Sequence, residues 1–219
     1  MLWKGVFINQ TIIDALGRRF SVKTYDPNRK VSEENVRTVL ESARLAPSSY
    51  GVEPWRFVVV ENPAIRQQLR EAALGQSPVT DASHLIVVAR RTLSPERLAD
   101  ELVQRTARAN HQSAKDLDGL KQGAMEFITA QSKKLGYEAW TTAQTYIPLG
   151  IMIYTAALLG LDSGPMEGFD TEKVDEILSL KDKQLTSVVL FGLGVHDDEK
   201  HANRPKTRHT WEEAVEFVT

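Results

Sequence analysis

Three short runs of apolar residues divide the chain, and each has the length of a strand. Residues 57–60 and 85–89 are almost wholly apolar, and residues 185–193 are largely so. Strands that are apolar on both faces are typical of a sheet whose two sides are covered by helices. The pattern therefore predicts three buried strands in a central, doubly covered sheet.

Helical signals fill the intervals between these runs. Ser32 precedes two glutamates and then apolar residues at helical spacing, which predicts a helix that begins after Ser32 and ends before Pro47. Asn62 and Pro63 predict the start of a second helix, which continues to about Ala73.

A long helical tract covers residues 94–160. It has a polar section at about 95–136 and an apolar section at 140–159, which Pro148 is expected to interrupt. Long helices combined with buried strands predict an α/β or an α+β fold, in which helix dominates and covers both faces of the sheet.

Charge and composition narrow the classes of function. The chain has 27 Lys and Arg against 29 Asp and Glu, so its formal net charge is -2. This balance argues against broad, non-specific binding to nucleic acid or to a membrane surface, although it allows a local charged patch. The absence of cysteine excludes disulfides, thiolate nucleophiles and Cys-ligated zinc or iron–sulfur centres. Redox chemistry would therefore need a bound electron carrier.

The organisation of the chain is simple. No repeat, linker or compositional break divides the sequence, so we expect a single domain over residues 1–219. No stretch reaches the roughly 18–20 apolar residues that cross a bilayer. The N-terminal segment lacks the pattern of a secretion signal. The expected compartment is the cytoplasm.

The common catalytic motifs are not found in the sequence. It has no G-x-G-x-x-G fingerprint, Walker A sequence, nucleophile elbow or H-E-x-x-H pair. His196 and His201 flank an acidic run at 197–199, where a metal site is an alternative to a solvated loop. Their spacing does not match known ligand pairs, so the solvated loop is favoured and no metal is expected.

Two basic segments far apart in the chain share one pattern. Arg19, Ser21 and Lys23 alternate along the first, and Lys206 and Arg208 flank a threonine in the second. A phosphate monoester carries a charge of about -1.5 to -2 and accepts charge-assisted hydrogen bonds from such groups. Either segment alone is also typical of a solvated basic turn. Together they predict a shared phosphate site.

A third segment, residues 46–55, has the sequence A-P-S-S-Y-G-V-E-P-W. A helix end followed by a strand start, with Trp55 in the core, accounts for its two prolines. That interpretation gives no reason for the pair Ser48 and Ser49, whose hydroxyls and backbone amides a loop would expose.

Five segments together resemble the FMN-dependent nitroreductase family. They occur in the family's order and intervals from about residue 10 to the C-terminus, and each is weak alone. The most similar branch looks like the oxygen-insensitive NAD(P)H nitroreductases, which also reduce quinones and pteridines. The segments are R-F-S-V-K at 19–23 with Tyr25, P-S-S at 47–49 with E-P-W at 53–55, D-A-S-H at 81–84, G-P-M-E-G-F at 164–169 and P-K-T-R at 205–208.

The resemblance implies an α+β fold of the nitroreductase type, with an α/β-like arrangement in three layers. Its central sheet would be mixed and mostly antiparallel, flanked by helices, in an intertwined dimer. It implies a tightly but non-covalently bound FMN, whose phosphate would be held by Arg19, Ser21, Lys206 and Arg208. Lys23 would lie near the N1–C2 carbonyl edge of the flavin, where a cation stabilises the negative charge of the reduced ring.

The resemblance assigns further residues to the ring itself. The backbone N–H of Glu167 would face flavin N5, so Lys23 and Glu167 are the expected catalytic residues, and no protein acid, base or nucleophile is needed. Pro165, Met166 and Gly168 would form the rest of a loop beside the ring. The other subunit would contribute Pro47, Ser48, Ser49 and Gly51.

Several positions depart from the family's usual residues. Phe20 stands where relatives carry His, which removes a side-chain contact to the flavin but leaves the backbone. Gly51 replaces a residue that is often Asn, and Glu53 one that is often Gln. The segment at 75–78 is shorter than usual and lacks a lysine, whose role Gln76 is expected to fill in part.

The polar helical section around residues 95–136 should shape the pocket over the flavin. Met125, Phe127, Tyr137 and Trp140 are candidates for its lining, with core packing as the alternative for at least half of them. The apolar helix at 140–159 is expected at the centre of a homodimer interface, and residues 211–217 are expected to dock on the partner.

The expected activity is the transfer of two electrons from NADH or NADPH to nitroaromatic or quinone acceptors by a ping-pong mechanism. The alternatives on the same fold are a flavin, pteridine or enone reductase and a reductive dehalogenase. A non-catalytic module that binds phosphate or nucleic acid is a further alternative, which the balanced charge disfavours.

Overall fold

The computed structural model describes residues 5–197 and 202–219. Its helices are α1 (Gly5–Arg18), α2 (Glu33–Arg44), α3 (Pro63–Ala72), α4 (Pro78–Asp81), α5 (Pro95–Asn110), α6 (Asp118–Leu135), α7 (Tyr137–Leu158), α8 (Thr171–Ile177) and α9 (Trp211–Ala214). Its strands are β1 (Trp55–Val60), β2 (His84–Arg91), β3 (Asp162–Met166) and β4 (Leu185–Gly194).

The strands form a sheet in the order β1-β2-β4-β3, in which each neighbouring pair is antiparallel. At one end of this sheet Trp55 of β1 pairs with Arg90 of β2. At the opposite end Ser163 of β3 pairs with Leu193 of β4. A parallel bridge joins Ser21 to Ser163, which adds a parallel component to the antiparallel sheet.

Both faces of the sheet are covered, as the apolar runs predict. Helices α2 and α7 pack with Ile86 and Phe191 on one face. Helices α3 and α8 pack with Leu85 and Leu190 on the other. Neighbouring strand residues fall in different clusters because successive side chains point to opposite faces. The predicted α+β class with three layers is confirmed.

The two predicted helix starts are confirmed as well. The Ser32 hydroxyl accepts a hydrogen bond from the Asn35 amide at 3.3 Å, at the start of α2. The Asn62 side chain accepts one from the Ala64 amide at 2.9 Å, at the start of α3. Each side chain bonds one of the amides that a helix start leaves without an intrahelical partner.

The prediction that Pro148 interrupts the apolar helix is wrong, because α7 runs unbroken through it. Proline has a φ that a helix accepts, and its main cost is the missing amide that would have bonded the Gln144 carbonyl. Burial of Pro148, Leu149 and Met152 offsets that loss.

Within residues 5–197 and 202–219, no helix is both long and apolar enough to span a membrane.

The sequence did not predict α1, β3 or α8. Strand β3 contains Gly164 and Pro165, which are both poor strand formers away from an edge. Gly164 is required there, because a Cβ at this position would lie 2.7 Å from the Val22 carbonyl oxygen. The segment after α1 thus packs closely against β3.

Candidate active site

The two basic segments meet in space, although they lie near opposite ends of the chain. The Lys206 ammonium donates a hydrogen bond to the Arg19 carbonyl oxygen. Together the segments enclose a cavity of about 280 Å³. Its lining consists of Arg19, Phe20, Ser21, Arg204, Pro205, Lys206, Thr207 and Arg208. The predicted convergence of the two turns is confirmed.

The cavity carries positive charge that is not neutralised by its own lining. Burial and the nearby positive charge of Arg208 lower the pKa of Arg19. Burial and the charges of Arg19 and Arg208 lower the pKa of Lys206. In the part of the chain that the structure describes, the buried Nε of Arg19 has no hydrogen-bond partner. An unsatisfied buried donor among like charges fits a bound anion, such as a phosphate monoester.

The first basic turn is anchored from both sides. Arg18, at the end of α1, donates from Nη2 to the Ala157 carbonyl oxygen on α7 at 2.7 Å. Tyr25 is buried, and its hydroxyl donates to the Gly192 carbonyl oxygen at 2.9 Å. These contacts hold Ser21 and Lys23, which lie between them, at the β3 side of the sheet. The Ser21 hydroxyl accepts from Arg19 Nη2 at 3.3 Å, and Lys23 is exposed.

His196 has a structural partner that the sequence did not suggest. The Asp162 carboxylate accepts from the His196 amide at 3.0 Å and lies 2.9 Å from its Nδ1. The ring of Phe20 makes an edge contact with the same imidazole, at a centroid distance of 5.2 Å. This contact holds Phe20 against the cavity. His201 and the acidic positions 198 and 199, weighed above as a metal site, lie outside the described residues.

The segment expected beside the flavin ring is partly a strand. Pro165 and Met166 belong to β3, so the interpretation of 165–168 as a continuous loop is wrong. The Met166 side chain is buried in the core, because strand alternation turns it towards α3 and α8. Only the backbone of Met166 remains for a ligand.

Glu167 and Gly168 follow β3 and are exposed. The Tyr146 hydroxyl donates to Glu167 Oε1 at 3.0 Å. The Gln76 side-chain amide donates to the Gly168 carbonyl oxygen at 2.8 Å and to the Ala73 carbonyl oxygen at 3.1 Å. Gln76 therefore lies beside the segment with which the sequence associated it.

The loop that carries Pro47 does not reach the basic cavity in its own chain. The loop precedes Trp55, which pairs with Arg90 of β2, and Arg90 in turn pairs with Thr186 of β4. Ser21 pairs with Ser163 of β3, which in turn pairs with Leu193 of β4. Trp55 and Ser21 therefore belong to two different rows of paired residues across the sheet. These two rows are seven residues apart along β4, or about 23 Å. The loop residues Ser48, Ser49 and Gly51 and the basic cavity thus lie at opposite ends of the sheet.

The structure gives a reason for the pair Ser48 and Ser49, which a simple helix end and strand start did not explain. The Ser48 hydroxyl accepts from the Glu53 amide at 2.9 Å, and the Ser49 amide donates to Gln144 Oε1 on α7 at 2.9 Å. The Gly51 carbonyl accepts from Arg105 Nη2 at 2.7 Å. These bonds fix a loop in which Gly51 has a φ of 70°, a conformation that glycine adopts without strain.

The four candidates for the pocket lining pack with one another and with their neighbours. Trp140 is buried, and Phe127 lies between Trp140 and Tyr50, at centroid distances of 6.2 Å and 5.3 Å. Met125 and Tyr137 are half-buried against the same cluster. Core packing thus accounts for Trp140, and the cluster supports the loop at 47–51 through Tyr50.

The segment at 81–84 serves the fold rather than the cavity. The Ser83 hydroxyl accepts from the Val31 amide at 2.8 Å. The buried Arg66 guanidinium donates to the carbonyl oxygens of Val79, at 2.8 Å, and Ala82. A separate cavity of about 600 Å³ borders these residues and His84, but the polar groups named here already have partners within the chain.

Comparison with known proteins finds a matching family model and similar relatives. The model of the nitroreductase family matches residues 16–194. A Staphylococcus aureus protein (strain USA300) named "Putative NAD(P)H nitroreductase" is 38% identical over 221 residues, which cover 96% of this chain and 97% of that protein.

Solved structures agree on the fold. A "putative nitroreductase in complex with FMN" from Exiguobacterium sibiricum has a TM-score of 0.74 and 22% identity, covering 94% of this chain and 97% of that one. A gut-bacterial enone reductase has a TM-score of 0.75 and 20% identity, covering 95% and 98%. The family match and the relative in S. aureus together lead to one conclusion: this chain belongs to the nitroreductase family.

Proposed function

We propose that this protein is an FMN-containing oxidoreductase that passes two electrons from NADH or NADPH to nitroaromatic or quinone acceptors by a ping-pong mechanism. The observation that carries the proposal is the cationic cavity formed by the two basic turns, one of whose lining residues, Arg19, has a buried Nε without a partner among the described residues. It occurs in a chain of the nitroreductase family, one of whose structural neighbours was solved with FMN.

The cavity residues suit the phosphate end of FMN. Arg19, Lys206 and Arg208 supply cationic donors, and Ser21 supplies a hydroxyl already oriented by Arg19. Phe20 also lines the cavity, and its ring makes an edge contact with His196. Bonds from such donors to a phosphate are charge-assisted and short, so they would hold the cofactor without a covalent link.

The ring end of the site falls to other residues. When bound, FMN supplies the chemistry of accepting a hydride and releasing electrons singly or in pairs. Lys23 is an exposed cation in the first basic turn and would stabilise negative charge on the ring. The backbone at Pro165, Met166, Glu167 and Gly168 would border the ring, with Gln76 holding Gly168 in place.

We further propose a homodimer in which the partner supplies Pro47, Ser48, Ser49 and Gly51. Within one chain these residues lie at the far end of the sheet from the cavity, so a second chain would have to bring them to it. Helix α7 offers a surface for this pairing, the α7 stripe, which consists of Ala143, Tyr146, Ile147, Gly150 and Leu158. These residues are exposed and are spaced along one side of the helix.

The C-terminal arm, residues 211–219, supports an intertwined arrangement. Trp211, Phe217 and Val218 are 65%, 76% and 93% exposed, which is unusual for large apolar side chains. Val215 has the φ and ψ of a strand. A groove of about 590 Å³ between α2 and the edge strand β1 presents apolar residues, among them Leu40 and Phe57. We propose that this arm packs on the partner.

Purification and a visible spectrum test the proposed function. The protein is expected to be yellow, or to take up FMN when FMN is added, and initial-rate plots with NADPH and menadione should give parallel lines. A colourless protein that binds no FMN would disprove the proposal.

We also propose that residues 1–219 act as one domain in the cytoplasm, where NAD(P)H is available.

A second candidate is a flavin, pteridine or enone reductase on the same fold. The structural match to an enone reductase favours keeping this candidate. Turnover with menadione, a nitrofuran, free FMN, a dihydropteridine and an α,β-unsaturated ketone, each at several concentrations, separates these activities. The acceptor with the highest kcat/KM identifies the class.

A further inference from the structure

Tyr146 contacts the segment at the proposed flavin edge, although no sequence motif includes it. Its hydroxyl donates to Glu167 Oε1 at 3.0 Å. The two residues are 21 positions apart and belong to different elements, α7 and the end of β3. The bond therefore ties a rigid helix to a segment that has just left the sheet.

The same segment is held from a second direction. Gln76 donates to the Gly168 carbonyl oxygen at 2.8 Å, and the Asp170 amide donates to the Ala72 carbonyl oxygen at 2.9 Å. Tyr146 is thus the contact on the α7 side, and the other bonds come from the α3–α4 side. A segment fixed at both sides keeps one backbone direction at Glu167 and Gly168.

The Tyr146 phenol keeps its proton at neutral pH. Burial, together with the hydrogen bond to Glu167 and its negative charge, raises the pKa of Tyr146. The phenol therefore remains a donor across the neutral range and is a poor source of protons for an acceptor. A phenol that donates to a carboxylate makes a charge-assisted bond, which is stronger than a neutral one.

Tyr146 also belongs to the α7 stripe, where its side chain is 40% exposed. Packing of a second chain on this stripe would cover the phenol and strengthen its bond by excluding water. Tyr146 would then link the dimer face to the flavin edge.

We propose that Tyr146 is a positioning residue for the flavin edge: its bond to the Glu167 carboxylate fixes the backbone direction at Glu167 and Gly168. This inference rests on the proposed function. Tyr146 acts through Glu167 and needs no contact with the reacting atoms.

The test compares Tyr146→Phe with Tyr154→Phe, which makes the same change two turns further along α7. With FMN bound, Tyr146→Phe should lower kcat about fivefold to tenfold, the value of one hydrogen bond, with little change in KM for the acceptor. It should also shift the midpoint potential of the bound FMN. In the FMN-free protein it should speed amide hydrogen exchange at Glu167 and Gly168. Tyr154→Phe should match the wild type throughout.

Glu167→Ala provides a second, independent variant, since its side chain is exposed and its loss should not disturb folding. It should shift the potential as Tyr146→Phe does, and adding Tyr146→Phe to it should cause no further change. Equal kcat and midpoint potential for Tyr146→Phe and the wild type would overturn the positioning role alone. So would a double variant whose effects equal the sum of those of Tyr146→Phe and Glu167→Ala. A wild-type protein that binds no FMN would instead overturn the proposed function.

Discussion

The Lys206 ammonium donates a hydrogen bond to the main-chain oxygen of Arg19, 187 positions earlier in the chain. This bond brings two like charges together with Arg208 around one cavity, and none of the described residues that line it carries a carboxylate. Burial, and after it the repulsion between these like charges, lowers the pKa of both Arg19 and Lys206. Like charges held together without a counter-charge among the described residues fit the FMN phosphate that we propose for this cavity.

Removal of the second basic turn should release the cofactor. In the double variant Lys206→Ala with Arg208→Ala, two charge-assisted bonds of about 1.5–3 kcal/mol each are lost. We expect the Kd for FMN to rise at least about a hundredfold, measured by the quenching of flavin fluorescence. The fold should persist, because both side chains are exposed.

The matched control is Lys133→Ala with Lys134→Ala, which removes the same charge from exposed positions in the last turn of α6. This control should bind FMN as the wild type does. If both double variants lost FMN affinity equally, net charge would govern binding. If neither lost affinity, FMN would not bind at this cavity.

FMN affinity should pass through a maximum with pH. It should rise as the phosphate gains its second charge near a pH of about 6. It should fall again as the pH rises through the lowered pKa of Lys206, since the neutral amine no longer attracts phosphate. The alkaline fall should therefore begin below the ordinary lysine range. Isothermal titration from mildly acidic to alkaline pH measures both limbs.

Stability without FMN should show the opposite trend at alkaline pH. A base whose pKa is lower in the folded than in the unfolded chain binds fewer protons when folded. Lys206 therefore contributes a gain in stability as the pH rises from its lowered pKa to the ordinary lysine value. Lys206→Arg, which keeps its charge, should lose this gain and also the alkaline fall in FMN affinity. A Lys206→Arg profile identical to that of the wild type would contradict the assignment.

The basic cavity could be predicted from sequence because its chemistry lies in short segments. Both segments combine cationic side chains with hydroxyls, and this composition favours an anion as ligand in any fold. The residues concerned are Arg19, Ser21, Lys206 and Arg208. The buried strands were predicted for a similar reason, since their apolar runs are local.

Contacts between distant elements were not predicted. Tyr146 fits the apolar pattern of α7, so its bond to Glu167 leaves no trace in local composition. His196 was weighed as a metal ligand, yet its partner is Asp162, 34 positions away. Strand β3 was missed because packing against Val22 overrides the poor strand propensity of Gly164.

Gly194→Ala should destabilise the protein through Tyr25. A Cβ at Gly194 would lie 2.6 Å from Tyr25 Cδ1 and 3.1 Å from the Ser83 amide nitrogen. The ring must then move, and overpacking of this kind costs about 1–3 kcal/mol. Denaturant unfolding of the FMN-free protein measures the loss, and FMN binding should weaken because Tyr25 anchors the first basic turn.

Gly119→Ala serves as the control, because nothing lies within 4 Å of a Cβ at that position. It should leave stability unchanged or raise it by at most about 1 kcal/mol, the helix propensity difference. If both substitutions had the same effect, the close contact of Gly194 with Tyr25 would not be what limits this site.

Ile147→Glu should separate the proposed dimer and release FMN. Ile147 lies in the α7 stripe with 38% of its surface exposed, and a carboxylate there would be buried without a counter-charge when two stripes pack. Sedimentation at micromolar concentration should give a dimer for the wild type and a monomer for the variant. FMN should bind weakly to the monomer, because the loop at 47–51 and the cavity lie at opposite ends of one sheet.

Leu135→Glu makes the same change at the end of α6, where the side chain is 52% exposed and lies outside the stripe. It should remain dimeric and keep FMN, which separates the position of the charge from its chemistry. A wild-type monomer in sedimentation would refute the dimer. An Ile147→Glu monomer that binds FMN with wild-type affinity would show that each chain holds its cofactor alone, so the loop at 47–51 would have no part in the partner's site.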